Sequence, residues 1–100
     1  MEREILALEG EVDLAVTPAL RQRLLARVAP GRALMVDLSA VTYIDSSGLA
    51  SLVEAYQAAQ AEGGRLALVA ASQQVRRVLE LARLDRVFTL VERAEDPLPV

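Results

Sequence analysis

The sequence predicts a single α/β domain: a central, mostly parallel β-sheet of about four strands, with or without a short extra edge strand, and helices packed against it. Two observations carry this. Apolar runs of strand length alternate along the chain with segments whose apolar residues recur at helical spacing. The runs are also nearly continuous in apolar character, as the strands of a covered sheet must be. One hundred residues, 53% of them hydrophobic, are enough for one core.

Taken in order, Ile5 to Leu8 reads as a short strand, with Gly10-Glu11-Val12-Asp13 as its end or a turn. Thr17-Pro18 reads as a helix start, threonine as N-cap and proline at the first helical position. Leu20, Leu24 and Val28 then share a face, and Pro30-Gly31 ends the helix. Ala33 to Leu38 reads as a buried strand. A second helix is expected from about Ser47 to Ala61, with Leu49, Leu52, Val53 and Tyr56 at helical spacing, broken by Gly63-Gly64. Arg65 to Ala70 is the next strand. Ser72 is expected to cap a third helix whose inner face holds Val75, Val78, Leu79 and Ala82. Val87 to Val91 is the final strand. From Glu92 the chain carries two prolines in its last four residues and resists regular structure, so the domain is drawn over 1–91 and a short acidic tail over 92–100.

Composition removes whole classes of function. The net charge of −3 gives no basic footprint for nucleic acid. Cysteine and histidine are absent, and every one of the 11 cationic residues is arginine. A serine nucleophile therefore lacks a histidine or lysine partner, and a Walker lysine is impossible. No cofactor or metal is expected, because Glu9, Glu11 and Asp13 alternate as a solvated strand end does. No run approaches the ~18 apolar residues of a membrane span. The charged start, Met1-Glu2-Arg3-Glu4, is unlike a signal peptide. The expectation is a cytoplasmic protein without catalysis of its own, not inserted in a membrane.

What remains is Asp45-Ser46-Ser47-Gly48-Leu49, where a strand turns into a helix. The first N–H groups of a helix lack partners within it and carry partial positive charge, so they accept a cap or hold a phosphate. Ser46 or Ser47 is expected to cap, and Asp45 is a possible capping carboxylate. Gly48 fits a place where a side chain would crowd the loop or an approaching protein. Leu49 reads equally as core or as an exposed contact, and Asp13 equally as an ordinary turn aspartate or as a contact.

These residues resemble the STAS domain family, and within it the bacterial anti-sigma factor antagonists. The likeness rests on Asp45-Ser46-Ser47-Gly48-Leu49 after Val36-Asp37-Leu38, Val41 and Ile44. It extends to Leu8-Glu9-Gly10-Glu11-Val12-Asp13, to Gly63-Gly64 before an apolar strand, and to Val75-Arg76-Arg77-Val78-Leu79 followed by Leu84. It covers roughly residues 3 to 91.

The resemblance implies a protein-binding switch. Ser46 would be phosphorylated by a partner that is both anti-sigma factor and serine kinase. The unphosphorylated domain would sequester that partner, phosphorylation would release it, and a serine phosphatase would restore binding. Asp13, Asp45, Ser47, Gly48 and Leu49 would form the contact surface. A second subgroup of the family, the cytoplasmic STAS subunits of lipid-transport ABC systems, docks on an ATPase and commonly lacks the Ser46-Ser47 pair. Two departures from the family pattern stand out: little room for a strand before Ile5, and no amphipathic helix after Val91. They leave the sheet edge open and predict a homodimer through the first strand.

Overall fold

The computed structural model describes residues 1–99, in the order β1 (Glu2–Val12), α1 (Thr17–Arg27), β2 (Arg32–Ile44), α2 (Ser46–Ala61), β3 (Arg65–Val69), α3 (Gln73–Leu81), β4 (Thr89–Val91). Val100, the last residue of the expected tail, lies outside them. The four strands form one sheet in the order β1-β2-β3-β4, every neighbouring pair parallel. The expected α/β class and strand count hold, and no fifth strand is present among the described residues.

The strand lengths differ from expectation for a non-local reason. β1 and β2 extend well past their apolar runs because they pair with one another from Glu2↔Arg32 to Val12↔Ile44. Ladder hydrogen bonds hold the more polar ends of both strands in extended form. β4 is shorter than expected: Val87 and Phe88 donate to the Leu84 carbonyl in a turn, which carries the Phe88 ring into the core.

All three helices lie on one face of the sheet. Leu20 and Leu24 of α1, Leu52 and Ala55 of α2, and Val75 and Leu79 of α3 share one core with Leu6, Leu8, Leu34, Val36, Leu66 and Leu68. Tyr56 meets Phe88 edge-on within it, ring centroids 5.5 Å apart. The opposite face carries Ala33, Met35, Ala67 and Val69, covered by Val91, Ala94 and Leu98. The segment after β4 is therefore packed without being regular. The Arg3 guanidinium fastens it by donating to the carbonyls of Ala94 and Asp96, both at 2.6 Å, and Arg65 donates to the carbonyl of Pro99.

Helix termini correct two details. Thr17 is not the cap of α1. The chain enters through a turn in which Val16 and Thr17 both donate to the Asp13 carbonyl, Val16 takes the cap position, and Thr17 is buried as the first helical residue. Ser72 caps α3 as expected, accepting from the Val75 N–H at 3.2 Å. Ala82 ends that helix exposed to solvent, outside the inner face it was assigned to. Gly64 sits where an added Cβ would come within 2.5 Å of the Ala29 carbonyl, so glycine is required where α2 gives way to β3.

Candidate functional site

The candidate site lies at the C-terminal end of the two longest strands, where β1 and β2 finish side by side at Val12↔Ile44. The Asp45 N–H donates to the Val12 carbonyl at 3.1 Å, which ties the turn into α2 to the end of β1. Asp13 follows immediately, so the topology brings the acidic turn and the serine pair together. Asp13 is half-buried and its Oδ1 accepts from the Ala15 N–H at 3.1 Å, the geometry of a turn aspartate.

Asp45, rather than either serine, caps α2. It is extended (φ −103°, ψ −175°) and its Oδ1 accepts from the Gly48 N–H at 3.0 Å. The Ser47 hydroxyl donates to the same oxygen at 2.6 Å. The Asp45 carboxyl is held below its usual range chiefly by the Ser47 hydroxyl, then by the Gly48 N–H. Thr17 links α1 to this group, its hydroxyl 3.4 Å from both the Ser47 hydroxyl and the Leu14 carbonyl. The serine cap expected from the sequence is thereby corrected: the carboxylate sits one residue earlier, outside the helix, where its oxygen reaches back over the first turn.

The two serines are thus unlike. Ser47 is half-buried and committed to Asp45. Ser46, the first residue of α2, is exposed, and its hydroxyl makes no hydrogen bond among the described residues. It stands at the positive end of a 16-residue helix that carries no acidic residue in its first turn.

Gly48 and Leu49 face inward. A Cβ on Gly48 would lie 2.7 Å from Ile44 Cγ1, 2.8 Å from Val12 Cγ1 and 2.9 Å from the Val12 carbonyl oxygen. The space that glycine protects is therefore between α2 and the ends of β1 and β2. Leu49, expected among the contact residues, is 8% exposed and belongs to the helix-side core. Its side chain is already used in packing. The exposed apolar groups at this end are instead Leu14 (72%), Val16 (43%) and Tyr43 (49%). Sequence reading missed them because no period marks a loop residue. The one signal was apolar Leu14 and Val16 between two turn-forming residues.

Comparison with known proteins gives the same assignment from three directions. The family model described as Mlab, STAS domain, matches residues 2–92. The anti-sigma-F factor antagonist RsfB of Mycobacterium tuberculosis is 33% identical over 95 residues, covering 94% of this chain and 77% of the relative. The anti-sigma-B factor antagonist of Bacillus subtilis is 29% identical, covering 86% of this chain and 79% of the relative. The crystal structure of an anti-sigma factor antagonist from Mycobacterium paratuberculosis superposes with a TM-score of 0.79 at 34% identity, covering 94% of this chain and 80% of that one.

Proposed function

This chain belongs to the STAS domain family, and on that premise we propose that it is an anti-sigma factor antagonist, a protein-binding switch thrown by phosphorylation of Ser46. Relatives on both sequence and structure comparison are named anti-sigma factor antagonists, which supports the first part of this reading. The observation that carries the reading is the contrast at the start of α2. One serine hydroxyl is exposed and uncommitted, and its neighbour is locked to the capping carboxylate.

Unphosphorylated, the surface offers Leu14, Val16 and Tyr43 around the turn, with Asp13 and Asp45 beside them. Apolar groups in a polar rim are what a docking partner dehydrates. The partner in this reading is an anti-sigma factor with serine kinase activity, and a serine phosphatase resets the switch. Phosphate on Ser46 adds about −1.5 to −2 charge, next to an Asp45 carboxylate already held in its ionised form. That more than doubles the negative charge Asp45 places beside these apolar groups and opposes docking, while the helix N-terminus stabilises the modified domain itself. Ser47 and Gly48 position the turn. Nothing in this scheme asks the domain to catalyse a reaction, and it acts in the cytoplasm where its partner works.

The test is direct. Incubation with ATP and a candidate anti-sigma kinase should add the mass of one phosphate, absent in Ser46→Ala, and the phosphorylated protein should no longer bind the kinase. No phosphate with any such kinase, together with stable co-purification with an ABC-system ATPase, would overturn the switch in favour of a docking subunit.

A further inference from the structure

β1 is an eleven-residue strand at the edge of the sheet, paired on one side only among the described residues. The shifts in its register against β2 run from Ala7↔Asp37 to Glu9↔Ala40 and from Gly10↔Val41 to Glu11↔Tyr43, so the extra residues sit on β2, and β1 runs regularly from Glu2 to Glu9 before Gly10 turns left-handed (φ +70°). Natural edge strands of this length are usually kinked or covered, and a regular one is a template for another strand. Its outer edge opens into a groove against α1, lined by Leu8, Val12, Val16, Ala19 and Arg23. Arg23 has no ion pair among the described residues. On the other face of the strand, Ile5 is 58% exposed.

The geometry points to a second copy of this chain as the occupant of that edge, the two β1 strands pairing antiparallel about a two-fold axis at Leu6. The side chains select this register. Strand alternation puts Leu6 and Leu8 toward the helices, and Arg3, Ile5 and Glu9 on the opposite face. With Leu6 opposite Leu6, Arg3 faces Glu9 of the other copy, Ile5 faces Ala7, and Glu4 faces Leu8 beside the groove that holds Arg23. Each pairing occurs twice by symmetry. Shifting by two residues in one direction sets Ile5 against Glu9. Shifting in the other leaves Arg3 against Ala7. Of these registers, only the central one gives both Arg3 a carboxylate opposite and Ile5 an apolar residue opposite. Arg3 has donors to spare, since one nitrogen of its guanidinium serves both tail carbonyls. The product is one continuous eight-stranded sheet, and because Val12 lies at the far end of β1 the Ser46 turns stay clear of the axis.

Charge reversal tests the register. Wild type should show a light-scattering mass that rises with concentration toward two chains. Arg3→Glu and Glu9→Arg should each be monomeric, because each sets like charges opposite one another. Their equimolar mixture should dimerise again, since every cross-pair is then opposite in sign. Far-ultraviolet circular dichroism and thermal melting of each variant separate loss of pairing from loss of fold. Wild type that stays monomeric to its solubility limit, or folded single variants that dimerise as well as wild type, would overturn the proposal.

Discussion

The Ser47 hydroxyl donates to Oδ1 of Asp45 at 2.6 Å, the same oxygen that accepts the Gly48 N–H at 3.0 Å. One carboxylate atom thus closes the first turn of α2 and fixes a neighbouring side chain, leaving Ser46 between them with nothing to hold. Asp45→Ala removes the shared acceptor of both bonds and should lower the thermal midpoint by several degrees. Asp45→Asn keeps an acceptor oxygen at the cap and should lie between the two. Melting followed by circular dichroism, all three proteins at pH 7, checks the order.

Acid should reveal the same pair. The Asp45 carboxyl is depressed first by the Ser47 hydroxyl and then by the Gly48 N–H. Glu54 is depressed by the Arg21 guanidinium, which meets it through two hydrogen bonds at 2.7 and 2.5 Å. A depressed carboxyl contributes stability that is fully present above its unfolded value, about 4, and is lost as pH falls through the folded value. The chain has no histidine, so its side chains should add no step between about pH 5 and 8. Urea midpoints should be flat over that window and fall below it. Ser47→Ala should show a shallower acid fall, having lost the largest cause of the Asp45 depression. An equal fall in both proteins would show that this bond does not set the acid limit.

Gly48→Ala should destabilise the domain by about 1–3 kcal/mol, the usual cost of forcing a methyl group into a filled site. Two of the three atoms it would meet are branches of Ile44 and Val12, the third a backbone oxygen. Val12→Ala in the same chain removes one of these and should make the added Gly48→Ala cost smaller than in wild type. Urea unfolding of the four proteins gives that coupling.

The sequence and the structure part company where distant segments decide. The α/β class, the Ser72 cap and the placing of the serine pair at a helix start were legible because each rests on local pattern. The choice of Asp45 over its two neighbours was not, since aspartate and serine both cap well. What selects it is the Asp45 N–H reaching the Val12 carbonyl, 33 positions away along the chain. The lengths of β1 and β2 have the same origin, in pairing that composition does not encode. Leu49 was ambiguous because one apolar residue after a glycine fits a core and a surface equally. The segment after Val91 looked structureless for want of a period, yet Ala94 and Leu98 cover Met35 and Val69 from across the sheet.

The contrast between the serines makes a last prediction, on which of them takes phosphate. A kinase must approach the hydroxyl oxygen and remove its proton. On Ser46 both are open to solvent. On Ser47 the proton is held in a 2.6 Å hydrogen bond to a carboxylate, and the Thr17 hydroxyl lies 3.4 Å from the oxygen. Moving Ser47 into reach would break the cap contact and expose a half-buried turn. Ser46→Ala should therefore abolish phosphorylation without passing it to Ser47, while Ser47→Ala should still accept one phosphate, at Ser46. Peptide fragmentation after kinase treatment distinguishes the positions. Phosphate on Ser47 in the Ser46→Ala protein would mean that the Asp45 bond opens readily, and that the selectivity belongs to the kinase rather than to this turn.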